Sequence, residues 1–133
     1  MHKVLIGGQA LTALGSTRNS LDTDYLVNIE GNPEPFITGP NIDLINANGH
    51  KFFMEIWNLE KENSMATPQS LLELKCFAFV QHCLNGNWQK ADDAEYDIKF
   101  LVRKFGLKEI KIVSKYLSLG ELSEVNKVIK SVK

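Results

Sequence analysis

Asp22 and Asp24 are the residues of this 133-residue chain whose type and spacing point most directly to chemistry. Aspartate is depleted in strands, yet both fall in residues 21–29, where Asp22 and Asp24 alternate with Thr23 and Tyr25 before Leu26 and Val27 restore apolar character. Residues two apart on a strand point to one face, with about 7 Å between Cα atoms. From that spacing two carboxylates share divalent cations about 3.5–4 Å apart. Asp43, flanked by Ile42 and Leu44, sits where an unpaired charge is costly, and a place on a neighbouring strand makes it the third ligand. All-oxygen ligation suits Mg²⁺ or Mn²⁺, and the histidines His2, His50 and His82 show no zinc-type spacing. Each aspartate also has a plain structural use: Asp22 and Asp24 as a solvated strand start, Asp43 as a turn residue bonding local backbone after Pro40-Asn41. Glu55, in Phe-Phe-Met-Glu-Ile-Trp, is the reserve third carboxylate, in a setting that reads equally well as amphipathic packing.

Upstream, Gly7-Gly8 closes an apolar run and leads into a helical pattern, so it offers close backbone approach and a helix N-terminus, both favourable for phosphate. It is not a Walker loop, since no Gly-Lys-Ser/Thr follows, and it lacks the Gly-x-Gly-x-x-Gly spacing of dinucleotide folds. Ser16, Thr17 and Arg18 form a polar loop between this unit and the aspartates. Arg18 serves there as a phosphate contact or as a surface arginine.

These residues must be positioned by an α+β chain with the sheet first and the helices after it. Residues 3–6 read as a short buried strand, 9–14 as a short helix ended by Gly15, and 42–47 as a further strand. Only 18 residues separate Asp24 from Asp43, and their turn clusters at 31–33 and 39–41 predict an antiparallel meander and not a helical crossover. Residues 49–59 are ambiguous between strand and helix. Near Thr67 the pattern turns helical: Thr67-Pro68 is a helix start, residues 89–105 form a second helix stopped by Gly106, and 107–117 a third. Ser118-Leu-Gly-Glu121 is a capping box opening the last helix. The expected organisation is a core over 1–66 with a helical region over 67–133 packed on it as one compact unit. In the first of these helices Leu72, Cys76, Phe79 and Cys83 share one face. Lys75 beside them either approaches a nucleotide or lays its stem along the core, while Asp93 and Asp97 pair with Lys90 or face water.

The order strand, Gly-Gly, helix, Ser/Thr/Arg loop and Asp-x-Asp strand is carried by Ile6-Gly7-Gly8-Gln9-Ala10-Leu11, Gly15, Arg18-x-Ser20-x-Asp22-x-Asp24 and Ile42-Asp43-Leu44. In these residues the sequence resembles the nucleotidyltransferase superfamily that shares the palm-like core of DNA polymerase β. Within it the chain is similar to a small prokaryotic branch related to toxins of abortive-infection and toxin–antitoxin modules. The resemblance covers residues 4–27, with a weaker echo over 67–101 in Pro68-x-x-Leu71-Leu72-x-x-Lys75 and Lys90-x-x-Asp93-x-x-x-Asp97-Ile98. It implies a small mixed sheet with a nucleotidyltransferase-type core, followed by a C-terminal helical bundle. It further implies Asp22, Asp24 and Asp43 as ligands of Mg²⁺ (or Mn²⁺), with Asp43 also a general base. Gly7, Gly8, Ser16, Thr17 and Arg18, with Lys75, would hold a nucleoside triphosphate. The expected activity is transfer of a nucleoside monophosphate to a hydroxyl of RNA, protein or a small molecule, in a toxin-like setting with an antitoxin-like partner protein. A noncatalytic member that binds nucleotide or a partner protein as a regulator is the alternative.

Composition bounds these readings. With 44% hydrophobic residues, 15 basic and 16 acidic side chains, the chain reads as one globular domain, expected to be cytoplasmic, with no membrane partner. No apolar run reaches the roughly 18 residues of a membrane span, and the Met-His-Lys start leads to Gly-Gly, not to a signal-peptide core. Cys76 and Cys83, seven apart on one helix, lie too far apart for a disulfide and read as buried thiols. Residues 1–67 carry 4 basic and 8 acidic groups and residues 68–133 carry 11 and 8, so the basic half either lies along RNA or simply forms solvated helix faces.

Overall fold

The structure, a computed structural model, describes residues 1–18 and 20–132. Asn19, next in sequence after the Ser16-Thr17-Arg18 loop, and Lys133, one of the basic residues counted in 68–133, lie outside the described residues. The architecture is α+β, with a four-stranded mixed sheet and five helices among the described residues. The chain divides into two compact units, Met1–Thr67 and Pro68–Lys133.

In the first unit the elements run β1 (Val4–Ile6), α1 (Gly7–Ala13), β2 (Thr23–Val27), β3 (Phe36–Thr38), β4 (Ile42–Asn46) and α2 (Lys51–Glu60). The sheet order is β1-β2-β4-β3, with β2 and β4 parallel and the two outer pairs antiparallel. This corrects the expected meander: β3 and β4 do form a hairpin, but β4 inserts beside β2 and leaves β3 at the edge. The cause is Asn46, fully buried at the end of β4. Its Oδ1 accepts from Ile29 N (3.0 Å) and Asn48 N (3.2 Å), and its Nδ2 donates to the carbonyls of Asn32 (2.9 Å) and Glu34 (3.0 Å). The connection after β2 therefore folds around this one side chain, its backbone groups satisfied without a helix or a strand. Residues 49–59 resolve as helix. His50 caps α2 by accepting from Phe52 N at 3.0 Å, and Phe52, Phe53 and Ile56 are buried. Phe53 meets Phe36 edge-on, 5.8 Å between ring centres.

The second unit holds α3 (Pro68–Leu84), α4 (Trp88–Phe105) and α5 (Leu119–Lys130). Gly106 ends α4 in the left-handed region at φ 65°, and Ser118 with Glu121 forms the expected capping box on α5. The buried face of α3 runs through Leu72, Cys76 and Val80, whereas Phe79 and Cys83 are only half-buried. The helix expected over 107–117 is absent except for one 3₁₀ turn, Val113–Tyr116. Glu73, 1% exposed, takes the backbone N–H groups of Lys111 (2.8 Å), Ile112 (3.1 Å) and Val113 (2.9 Å). A buried carboxylate that gathers three consecutive amides holds that segment open instead of letting it wind into α-helix. No helix among the described residues is long and apolar enough to cross a membrane.

Candidate functional site

The strand register sets two of the aspartates, Asp24 and Asp43, side by side. Asp24 on β2 pairs with Asp43 on β4, Ile6 on β1 pairs with Asp24, and Thr38 on β3 pairs with Asp43. Residues directly opposite in adjacent strands point to the same face about 5 Å apart, so Ile6, Asp24, Asp43 and Thr38 form one row across the sheet. Asp24 and Asp43 are half-buried, and Asp22 is exposed just before Thr23 opens β2. Its backbone N–H donates to Ser20 Oγ at 3.4 Å. Glu55 lies half-buried on α2, outside this row.

Gly7 and Gly8 sit directly against these groups. Gly7 has φ 72°, and a β-carbon there would overlap the Asp24 carboxylate oxygen Oδ2. At Gly8 a β-carbon would overlap Ser20 Cβ and Oγ and would lie 3.6 Å from the Arg18 guanidinium. The missing side chains thus let a carboxylate, a hydroxyl and a guanidinium settle on the backbone between β1 and α1. The loop is held in place from α1: Gln9 Nε2 donates to Ser20 O at 2.5 Å, and Ser16 N donates to Leu11 O at 3.0 Å. Ser16 is buried and its Oγ accepts from Arg18 N at 3.4 Å, while Thr17 is exposed beside it. Gln9, Ser20 and Thr38 were not singled out as site residues from the sequence. Ser20 had a signal, its place between Arg18 and Asp22, whereas Thr38 enters only through the register of β3.

In donor type the site fits a hard divalent cation, with two carboxylates on adjacent strands and a third two residues upstream. Among the described residues, no three His, Cys, Asp or Glu side chains already converge on a point that would hold an ion. Asp22 is the exposed member of the set.

Lys75 belongs to the second unit, where its Nζ lies 2.9 Å from Asp97 Oδ2. Asp97 is fully buried, so the expectation that it faces water or pairs with Lys90 is corrected: the lysine stem enters the helix packing to meet a buried charge. Burial, with the nearby Glu73 carboxylate adding to it, pushes the Cys76 thiol far above its ordinary range, and burial also raises Cys83.

Comparison of this chain with protein-family models, with curated proteins and with solved structures gives no match.

Proposed function

We propose that this chain is a Mg²⁺-dependent nucleotidyltransferase, built on a nucleotidyltransferase-type core with a C-terminal helical bundle, that moves a nucleoside monophosphate from a nucleoside triphosphate to a hydroxyl acceptor. The supporting observation is the register of Asp24 with Asp43, combined with the seating of Asp24 on Gly7 and of Ser20 and Arg18 around Gly8. Two separate stretches of sequence meet there, one from the β1–α1 turn with β2 and one from β4. Two half-buried carboxylates stand in register on adjacent strands, and a left-handed glycine leaves room for one of them against the backbone.

Asp22, Asp24 and Asp43 would hold the divalent ion, whose charge offsets that of the triphosphate. Arg18 and the hydroxyls of Ser16, Thr17 and Ser20 would bind phosphate oxygens, with the bare backbone at Gly8 admitting them closely. The acceptor oxygen attacks the α-phosphorus in line, the bond from that phosphorus to the α–β bridging oxygen breaks, and pyrophosphate leaves. Asp43 takes the hydroxyl proton. Lys75, engaged by Asp97, is left out of this site. An RNA end, a protein side chain and a small-molecule hydroxyl are the acceptor classes, and a toxin-like role with a partner protein is part of the proposal.

The test is transfer of label from each α-³²P nucleoside triphosphate, with Mg²⁺, into RNA, protein or small-molecule fractions of a cell extract. Labelling by the wild type that is lost in Asp22→Asn/Asp24→Asn is the expected result. Labelling of nothing by any nucleotide overturns it. The exposed, unconverged position of Asp22 favours one second reading, a noncatalytic protein that binds nucleotide as a regulator. That reading predicts nucleotide binding without transfer.

A further inference from the structure

We propose that the open cleft beside the C-terminal ends of α4 and α5 docks an acidic amphipathic segment of a partner protein. The inference is independent of the nucleotide site. The cleft has a volume of about 480 Å³, within the range of built binding sites. Its apolar part is Val102 and Ile129, which are buried, with half-buried Leu107 and Val132 beside them. Its charged lining is Arg103, Lys108 and Lys130, all exposed.

Two of these cations have a simpler use. Arg103 and Lys130 lie in the last turns of α4 and α5, where positive charge offsets the carbonyl ends of a helix. That accounts for neither Lys108, which lies beyond the end of α4, nor the apolar cleft among the cations. No carboxylate lines the cleft, and no ion pair engages Arg103, Lys108 or Lys130 among the described residues. Three cations with no carboxylate partner among the described residues, set around aliphatic side chains, ask for a ligand with carboxylates at its edges and aliphatic groups between them. An acidic helix or extended segment with leucine-type anchors has that chemistry. Single-stranded nucleic acid fits less well. Its affinity beyond phosphate contacts comes from stacking on aromatic rings, and among the described residues no aromatic side chain lines the cleft.

The experiment uses the intact chain and a fluorescein-labelled helical peptide with Leu at i, i+3, i+4 and i+7 and Glu elsewhere, followed by fluorescence anisotropy. Comparison probes are the same peptide with Ser for Leu, the same with Lys for Glu, and oligoadenylate of equal charge. The expected result is binding of the Leu/Glu peptide alone, weakened about tenfold by Lys108→Glu and by Arg103→Glu and unchanged by Lys127→Glu, which lies outside the cleft. These exposed positions allow charge reversal without loss of fold, which an unchanged circular dichroism spectrum verifies. Leu107→Ser, removing an anchor contact without changing charge, should weaken the peptide as well. Equal binding of the Ser/Glu peptide or of oligoadenylate would show a mere polyanion surface and overturn the proposal. So would binding that survives all three cleft variants, or no binding at all.

Discussion

At Gly7 the backbone sits at φ 72°, and the space a β-carbon would fill is taken by the Asp24 carboxylate. Gly8 faces Ser20 and Arg18 in the same way but without positive φ. The two glycines therefore predict different behaviour. Gly7→Ala combines a left-handed penalty of about 1–2 kcal/mol with displacement of Asp24, so urea unfolding should show a loss of about 2–3 kcal/mol that no change at position 24 fully relieves. Gly8→Ala overlaps the side chain of Ser20 and meets the Arg18 guanidinium only at ordinary contact distance, so Gly8→Ala/Ser20→Gly should recover most of the stability lost in Gly8→Ala. Equal recovery at both positions would refute the distinction. The residue types at this site were legible in sequence: a glycine pair before a helix and an Asp-x-Asp on a strand are both unusual. Their contact was not, because it depends on where Arg18, Ser20 and Asp24 lie against α1, a placement in which Gln9 holds the Ser20 carbonyl.

Among the elements, the short connection from β2 to β4 shows what sequence signals resolve. Turn residues correctly exclude a helix between Asp24 and Asp43, yet they do not say which side of β4 the edge strand takes. The parallel placement of β4 beside β2, which sets Asp24 next to Asp43, is secured by the Asn46 side chain. An asparagine at a strand end reads as a turn former, so its role as a buried clamp leaves no mark on the pattern. Asn46→Ala should cost about 3 kcal/mol in chemical denaturation, since it unmakes four hydrogen bonds and leaves backbone groups of residues 29–34 unsatisfied. A loss under about 1 kcal/mol would mean that the loop holds itself and that the register has another cause. The segment 107–117 fails as a helix for a related reason. Its apolar spacing is helical, but the buried Glu73 carboxylate claims its amides from 38–40 residues away, a long-range contact invisible to local periodicity. Where the signal is wholly local the reading agrees with the structure, as at Pro68 opening α3 and at the Ser118–Glu121 capping box.

For the whole molecule, the division into Met1–Thr67 and Pro68–Lys133 separates an acidic half with the carboxylate row from a basic half with the Lys75–Asp97 pair. Binding to the folded state alone raises the stability of whatever folds with the site. A nucleoside triphosphate with Mg²⁺ at about 100 times its dissociation constant should add about 2.7 kcal/mol, read as a rise of several degrees in Tm. That rise should vanish in Asp22→Asn/Asp24→Asn. Lys75 then decides whether the second half takes part in nucleotide binding. Lys75→Met leaves Asp97 fully buried without its cation and should lower stability by about 3–5 kcal/mol, whereas Lys75→Met/Asp97→Leu removes both charges and should recover much of it. In that double variant the nucleotide-induced rise in Tm should equal that of the wild type, because the ammonium group serves Asp97. A rise that shrinks in the stable double variant would instead assign Lys75 to the triphosphate.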